Sequence, residues 1–422
     1  MGGVLRDSPR PALASLPVRL SPFILIACAL ALLAAACSGA EAAPATTTTA
    51  TPTTTTTPAT TAAPTTTTTE PPPLSVELGF EIPGDMTGAL NDLYSWLVDR
   101  RNDLPILPDG LVEHIGETVR IDPGEVGAAT TAELDDGDRV AVVRVDTDII
   151  LLVDEGSGWR IVGAVLDGLT PWLGDEPRMV LVLGSDARVG QNQQRYRADS
   201  VHILTVVPDA SAGAIVGFPR DSWVQGPSGG TKLTNLMAGN GPEIMLETIT
   251  DLTQLEIEGY FVTGFLGFTT LIEELGGLFI DIPKVMRSGN NWANYPAGPQ
   301  TLTPQRALRL ARIRKGLPGG DFDRSFNQGL IMQAAMDMVQ LTGIDALPEW
   351  VRILTDNTWT DLSTEDVLTL GASTFFFESN ALVNTVLPGR VGTAGAASVV
   401  YLKDEAEDIY RDLEDGLLTP EE

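Results

Sequence analysis

The sequence predicts an α/β chain, a layered α-β-α sandwich with a mixed central sheet, preceded by a small α+β domain. Two observations carry this reading. From Pro177 onward, short apolar strands alternate with amphipathic helices, the order that builds layers around a single sheet. Five polar motifs also fall where those elements start or stop, the places where an α/β fold collects its working side chains. They are Gly184-Ser185-Asp186-Ala187-Arg188, Arg197-Ala198-Asp199-Ser200, Pro219-Arg220-Asp221, Arg312-Ile313-Arg314, and Asp321-Phe322-Asp323-Arg324 with Gln328 after it.

Residues 1–37 read as a leader. Arg6, Arg10 and Arg19 precede an apolar stretch from Leu20 to Ala36, the layout of a secretory signal. The end of that stretch resembles a bacterial lipoprotein signal in which Cys37 would become the lipid-bearing first residue. Ala34 stands where leucine is usual. Leu25-Ile26-Ala27-Cys28 fits the box better but leaves a shorter apolar region. An uncleaved signal anchor is the alternative, since seventeen mostly apolar residues are just long enough to span. Both readings put the rest of the chain outside the cytoplasmic membrane, held at its outer face by an N-terminal anchor. Residues 38–73 are nearly all Thr, Ala and Pro and cannot bury a core. Extended at roughly 3 Å per residue, such a tether reaches on the order of 100 Å.

Residues 74–170 predict the small α+β domain. Met86 to Arg101 reads as a helix with Leu90, Leu93, Trp96 and Leu97 on one face. Arg139–Asp146, Asp148–Asp154 and Trp159–Leu166 read as strands joined by turns short enough for an antiparallel meander. The acidic residues here are scattered and read as a solvated face.

The main domain is placed at residues 175–415. Met179–Leu183, Ser200–Val207 and Gly213–Phe218 are its first three strands, each ending or starting at a polar motif. Helices follow at about Pro242–Leu252 and Phe265–Leu275, the second stopped by Gly276-Gly277. Gly259–Gly264 and Leu278–Ile282 read as strands on either side of it. Two more helices are predicted at Pro304–Ala311, with Thr303 as N-cap and Pro304 at its first position, and at Asp323–Val339. Val400–Leu402 reads as a closing strand before an acidic helix ending near Leu413.

The chain carries a net charge of −29, with 56 acidic residues against 27 basic ones. A surface that acidic repels nucleic acid and argues against a nucleic-acid partner. The basic residues are unevenly placed. Between Lys284 and Arg324 there are eight, against only Asp321 and Asp323, and a basic island on an acidic protein marks a specific anion site. Cys28 and Cys37, both in the leader, are the only cysteines, so the mature domains have neither an internal disulfide nor thiol chemistry. With His114 and His202 as the only histidines, a His-rich metal site is excluded. His202 sits inside an apolar strand and reads as a satisfied core residue. Ser185 lacks the Gly-x-Ser-x-Gly frame of a serine hydrolase. Lys232, in Gly229-Gly230-Thr231-Lys232, has Thr231 where a P-loop requires glycine.

The motifs converge if the first three strands pair in order. The short turn at Pro208–Ser211 makes strands two and three antiparallel. With strand one also opposed to strand two, Asp186 lies beside Arg197 and Asp199, and Arg220 meets them at the same sheet edge. Asp186 and Asp199 then form a site for one Mg²⁺ or Mn²⁺, hard ions that take oxygen ligands. Arg312 and Arg314 share a side only if the chain is extended between them, whereas Arg324 and Gln328 share a helix face. The start of that helix, after Gly319-Gly320, offers backbone N–H groups to an anion. Arginine forks bind phosphate oxygens bidentately, so the set suits a pyrophosphate and its metal.

In this order the motifs resemble the LytR-CpsA-Psr family of cell-wall ligases. The match covers roughly Val180 to Gly329, with weaker agreement through Leu387-Pro388-Gly389-Arg390-Val391-Gly392 to about Leu413. The resemblance implies an envelope enzyme that moves a phosphoglycan from a polyprenyl-pyrophosphate carrier to a peptidoglycan hydroxyl. It assigns Asp186 and Asp199 to the metal, and Arg197, Arg220, Arg312, Arg314, Arg324 and Gln328 to the pyrophosphate. Lys232 and Asn235 match a Lys-x-Asn segment more loosely. Arg220, Asp199 and Asp186 are the expected catalytic groups. Departures are Ala198 where serine is usual, Ser200 where threonine is usual, Asn327 where a second arginine is common, and the apolar Phe326. The competing reading is a non-catalytic envelope protein that binds polyprenyl phosphates or glycan. Paired carboxylates weigh against it, since binding alone does not need both.

Overall fold

The computed structural model describes residues 73–76, 85–118, 126–288, 292–377 and 381–419. The leader, Cys37 and nearly all of the Thr/Pro-rich tether therefore lie outside the described residues. Among the described residues no helix is long and apolar enough to cross a membrane.

The first described layer is two helices, α1 (Met86–Val98) and α2 (Asp109–Ile115), against an antiparallel meander. Its strands are β1 (Val126–Glu133), β2 (Arg139–Val145), β3 (Asp148–Asp154) and β4 (Arg160–Val165), in the order β1-β2-β3-β4. Sequence analysis finds α1 and three of these strands. It misses β1, whose Val-Gly-Ala-Ala-Thr-Thr-Ala-Glu carries no clear alternation, and the short α2. β3 is buried along its whole length because both faces of this sheet are covered. Leu90, Leu93 and Leu97 pack on one face with Ile150 and Leu152. Val140, Val142, Leu151 and Val153 point the other way and join a core that also contains Val180 and Val206 of the main sheet.

The central sheet has six strands in the order β15-β10-β5-β6-β7-β16. In chain order these are β5 (Arg178–Ser185), β6 (Ala198–Val207), β7 (Ala212–Gly217), β10 (Gly259–Thr263), β15 (Trp359–Thr360) and β16 (Leu382–Val386). The sheet is mixed. β5 runs antiparallel to β6, and β6 to β7, while β10 is parallel to β5 and β16 to β7. Between β7 and β10 come the hairpin β8 (Trp223–Gly226) and β9 (Gly229–Lys232), then α3 (Leu233–Asn240) and α4 (Glu243–Thr253). Leu233, Leu236, Met237, Met245 and Ile249 cover one sheet face together with Tyr410.

The other face meets the helices that matter for the site. After β10 come α5 (Phe265–Glu274), β11 (Leu278–Ile282), β12 (Met286–Arg287), β13 (Asn294–Tyr295), β14 (Gly298–Leu302), α6 (Pro304–Arg312), α7 (Asp321–Gln340), α8 (Leu347–Asn357) and, after β15, α9 (Thr364–Ser373). The chain closes with β16, β17 (Gly389–Ala394), β18 (Ala397–Leu402) and α10 (Glu405–Asp412).

The strand expected at Leu278–Ile282 is β11, and it forms a ribbon with β14 outside the central sheet, its Leu278, Ile280 and Ile282 turned into a side core while Phe279 and Asp281 face out. One expectation is corrected and two helices are additional. The closing strand Val400–Leu402 belongs to the hairpin β17–β18, and the sheet edge is β16 instead. Helices α8 and α9 were not expected at all. The latter carries a capping box, Ser363 with Asp366, which is a recognisable start signal.

Candidate functional site

Strand pairing brings the first three motifs together. Ser185 at the end of β5 pairs with Ala198 at the start of β6, and His202 pairs with Gly217 at the end of β7. Beyond the ladder, the Asp186 N–H donates to the Arg197 carbonyl at 2.9 Å and the Arg197 N–H donates to Asp186 Oδ1 at 3.0 Å. One Asp186 oxygen is thus spent on holding the two strand ends together. Arg220 Nη1 donates to Asp199 Oδ1 at 2.5 Å.

The fourth and fifth motifs arrive from the helices. Gly217 lets α7 lie close on the sheet, because a Cβ there would collide with the Ser325 hydroxyl and crowd the His202 ring. His202 Nε2 lies 3.0 Å from the Ser325 carbonyl and Nδ1 lies 3.1 Å from the Ser200 hydroxyl. Full burial pushes this imidazole down to about 4, so it stays neutral and serves as a packed link between β6 and α7. Asp321 then meets two guanidiniums, with Oδ1 at 2.6 Å from Arg324 Nη2 and 3.9 Å from Arg220 Nε. The result is an alternating line Asp199–Arg220–Asp321–Arg324.

That line is not saturated. Arg220 Nε and Arg324 Nε are buried donors with no hydrogen-bond acceptor among the described residues, and the Asp321 oxygens are near enough for charge contact without being aligned for a bond. For Arg220, burial works against the charged form, but Asp199, Asp321 and Asp221 outweigh it and raise the pKa. For Arg324 burial prevails, helped by the charges of Arg220 and Arg314, and its pKa is lowered. A guanidinium remains charged in either case.

All of this sits at the mouth of a cavity of about 530 Å³. Its walls come from the helical face of the sheet and from α5, α6, α7, α8 and α9. They are predominantly apolar, with Leu204, Phe261, Ile272, Ile331, Met336, Trp350 and Leu370 among them. Asp199, Arg220, Arg312, Arg314, Arg324 and Gln328 line the same cavity. Arg312 ends α6, Ile313 is extended (φ −68°, ψ 129°), and Arg314 therefore falls beside Arg312. The Arg312 guanidinium lies 4.5 Å from the Phe265 ring centre. Gln328 Nε2 donates to the Ala311 carbonyl at 2.9 Å, which joins α7 to α6.

The remaining expected residues fall elsewhere. Asp186 and Arg197 flank the mouth but do not line the cavity, and Lys232 pairs with Asp221 at 3.0 Å. The start of α7 is not the anion site that was expected. Asp323 Oδ2 already accepts the Gly319 N–H at 2.8 Å, and two carboxylates in its first turn repel an anion there. Among the described residues no group of three or more His, Cys, Asp or Glu side chains is placed to hold a metal. Sequence reasoning missed the apolar cavity wall entirely. Its residues have core composition, and only the capping box of α9 offered a signal.

Comparison with known proteins bears on the same region. Residues 163–414 match the LytR_cpsA_psr family. A polyisoprenyl-teichoic acid–peptidoglycan teichoic acid transferase, TagU of Oceanobacillus iheyensis, is 29% identical over 199 residues, 45% of this chain and 61% of that protein. The cell wall biosynthesis protein LcpA of Corynebacterium glutamicum is 24% identical over 265 residues, 49% of this chain and 51% of that protein. The chain therefore spans about half to three-fifths of the length of these curated relatives. A Streptococcus agalactiae protein of solved structure superposes with a TM-score of 0.50 at 19% identity, covering 58% of this chain and 89% of that one, a likeness of fold.

Proposed function

Because this chain belongs to the LytR-CpsA-Psr family, we propose that it transfers a phosphoglycan from a polyprenyl-pyrophosphate carrier to a peptidoglycan hydroxyl in the bacterial envelope. One observation carries the proposal: a deep apolar cavity whose mouth is ringed by Arg220, Arg312, Arg314 and Arg324. An apolar wall suits a prenyl chain, because burying it gains roughly 25 cal/mol per Å² of apolar surface. Four guanidiniums at the mouth suit the two phosphates that end the chain.

In the reaction, the acceptor hydroxyl oxygen forms a bond to the glycan-bearing phosphorus as the bond from that phosphorus to the lipid phosphate breaks. The electron pair leaves with the polyprenyl phosphate, which ends up carrying the hydroxyl proton. Phosphoryl transfer asks the protein mainly for positioning and charge neutralisation. Arg220 is set for this, fixed by Asp199 on one nitrogen and with Nε free for a phosphate oxygen. Arg324 is held by Asp321 in the same way. Asp199 and Asp186 fit a divalent cation shared with phosphate, since Mg²⁺ often takes one or two carboxylates and completes its shell with phosphate and water. Bound there, the cation would supply charge neutralisation of the pyrophosphate.

The test is turnover. The full-length protein with a polyprenyl-pyrophosphate-linked glycan, peptidoglycan and Mg²⁺ should release polyprenyl monophosphate and form a phosphodiester. A non-catalytic binding protein would retain the lipid and release nothing. Chelation by EDTA, and Asp199→Ala or Asp186→Ala, should each reduce turnover and its dependence on Mg²⁺. Wild-type metal dependence in both variants would rule out the carboxylate pair. An N-terminal lipid or signal anchor, with Cys37 as the lipidated residue, belongs to the same proposal. It would hold the domain at the outer face of the membrane where the carrier resides, and Cys37→Ala should abolish incorporation of a fatty-acid label.

A further inference from the structure

A second, smaller cavity of about 190 Å³ lies beside the first. It is formed by the loop that follows β5, from Ala187 to Gln193, by the start of α5 and by the end of α8. Gly264 borders both cavities. The next residue, Phe265, faces the large one, and Leu266 faces the small one. The two spaces thus share Gly264 in their linings, and the Arg312 guanidinium, which lines the larger one, lies over the ring of the adjoining Phe265.

The small cavity differs in chemistry from the large one. Gln191 Oε1 accepts the Arg188 N–H at 2.7 Å and Gln193 Oε1 accepts the Gly264 N–H at 2.8 Å. With both amide oxygens engaged by backbone, each side chain is left with its Nε2 donor. The Arg188 guanidinium is exposed and has no carboxylate partner among the described residues. Asp356 on the opposite wall is paired with Arg352 at 2.6 Å, so it does not neutralise Arg188. Asn357 donates to the Ile353 carbonyl and keeps its side-chain oxygen as an acceptor. Val189 and Leu266 add an exposed apolar surface. Donors and acceptors around a rim with an apolar patch fit a sugar ring, and a free guanidinium fits a carboxylate on it.

We propose that this cavity is the acceptor subsite, taking one carboxylate-bearing sugar of a glycan strand and presenting its hydroxyl across Gly264 to the phosphorus held at the arginine mouth. The inference rests on the transferase reading and names where that reaction takes its second substrate. Arg188 grips the carboxylate, and Gln191 and Gln193 bond the ring substituents.

The test uses full-length protein in detergent with three acceptors. These are a tetrasaccharide of alternating N-acetylglucosamine and N-acetylmuramic acid with free lactyl carboxylates, the same tetrasaccharide carrying stem peptides, and chitotetraose, which has no carboxylate. Arg188→Ala should raise the KM for the carboxylate-bearing acceptor about tenfold, the scale of one lost charge-assisted pair. The KM for the lipid-linked donor and the rate of acceptor-free hydrolysis should not move, and chitotetraose should respond equally with both proteins. Dependence on Arg188 with the denuded strand assigns the lactyl carboxylate, and dependence only with the peptide-bearing strand would overturn a subsite for the sugar's own carboxylate. Calorimetric titration with the denuded tetrasaccharide, without donor, separates this inference from the reaction. Binding that needs Arg188 without any turnover would retain the subsite and refute the transferase reading. An unchanged acceptor KM in an active enzyme, or an equal rise in donor KM, would overturn the subsite.

Discussion

The arginines of the small N-terminal sheet and those of the cavity mouth are the same chemical group put to opposite uses. In the sheet, Arg139 is paired with Asp154 and Asp85, Arg144 with Asp345 at 2.6 Å, and Arg160 with Glu155 and Glu365 at 3.0 and 2.5 Å. At the mouth, Arg312 and Arg314 have no carboxylate partner among the described residues, and Arg220 and Arg324 keep a buried Nε without an acceptor. On a chain with twice as many acids as bases, internal carboxylates are plentiful. In the transferase reading, the arginines that both line the apolar cavity and keep donors without an acceptor are where a ligand's negative charge belongs. Neither residue type nor the lack of a carboxylate partner is enough, since Arg306, which stacks on Tyr295, also lacks one among the described residues.

The largest effect that would break this contrast is at Arg220. Arg220→Ala should lower kcat on the order of 10³-fold, as expected of an arginine that stabilises a transferring phosphoryl group. Arg220→Lys should recover only part of that, because it keeps the charge and loses the fork. A steady-state assay showing less than tenfold loss in the alanine variant would reduce Arg220 to a structural partner of Asp199.

A second test concerns the buried link beneath the mouth. The unfolded chain protonates His202 at its ordinary value of 6.5, whereas the folded imidazole resists protonation down to about 4 because it is buried. Between those values the unfolded state binds the extra proton. Stability from this residue is therefore complete above pH 6.5 and is lost as pH falls towards 4, by on the order of 3 kcal/mol. Urea midpoints at pH 7 and pH 4 should show that drop, and His202→Gln should flatten it relative to wild type. An identical pH response in the variant would mean that other groups carry the acid sensitivity.

The smallest effects should come from the paired or merely exposed arginines. Arg160→Ala, half-exposed between two carboxylates, should cost at most about 1 kcal/mol of stability and leave turnover unchanged. Arg306→Ala, which removes a stack 5.1 Å above the Tyr295 ring and a long 3.4 Å hydrogen bond to the Asn294 carbonyl, should also be close to neutral in turnover. A loss of turnover at Arg306 as large as at Arg220 would show that position within the basic island matters more than the mouth geometry.

Much of this was legible along the chain. The strands β5, β6 and β7 are short apolar runs bounded by polar motifs, and the turn at Pro208–Ser211 fixed their antiparallel order. The meeting of Asp199 with Arg220 then followed from pairing alone. The meander β2–β4 was equally local, since its turns are too short for any other connection. What was not legible was non-local. The ribbon β11–β14 alternates like any sheet strand, and nothing in five residues says which partner it will find. The helix start at Asp321 offered N–H groups on paper, and its own carboxylates use the space.

By itself the sequence determined the acidic balance, the absence of cysteine after residue 37, the first strands of the main sheet and the inventory of arginines, because these depend on residue type and short-range periodicity. The tertiary structure alone decided which arginines stay unpaired and where the apolar cavity opens. Leu204, Ile331, Met336 and Leu370 belong to four different elements and read as core in each. Only the spacing of helices α5 to α9 over the sheet leaves a hollow between them, since a core and a pocket wall share one composition and differ in whether opposing side chains meet.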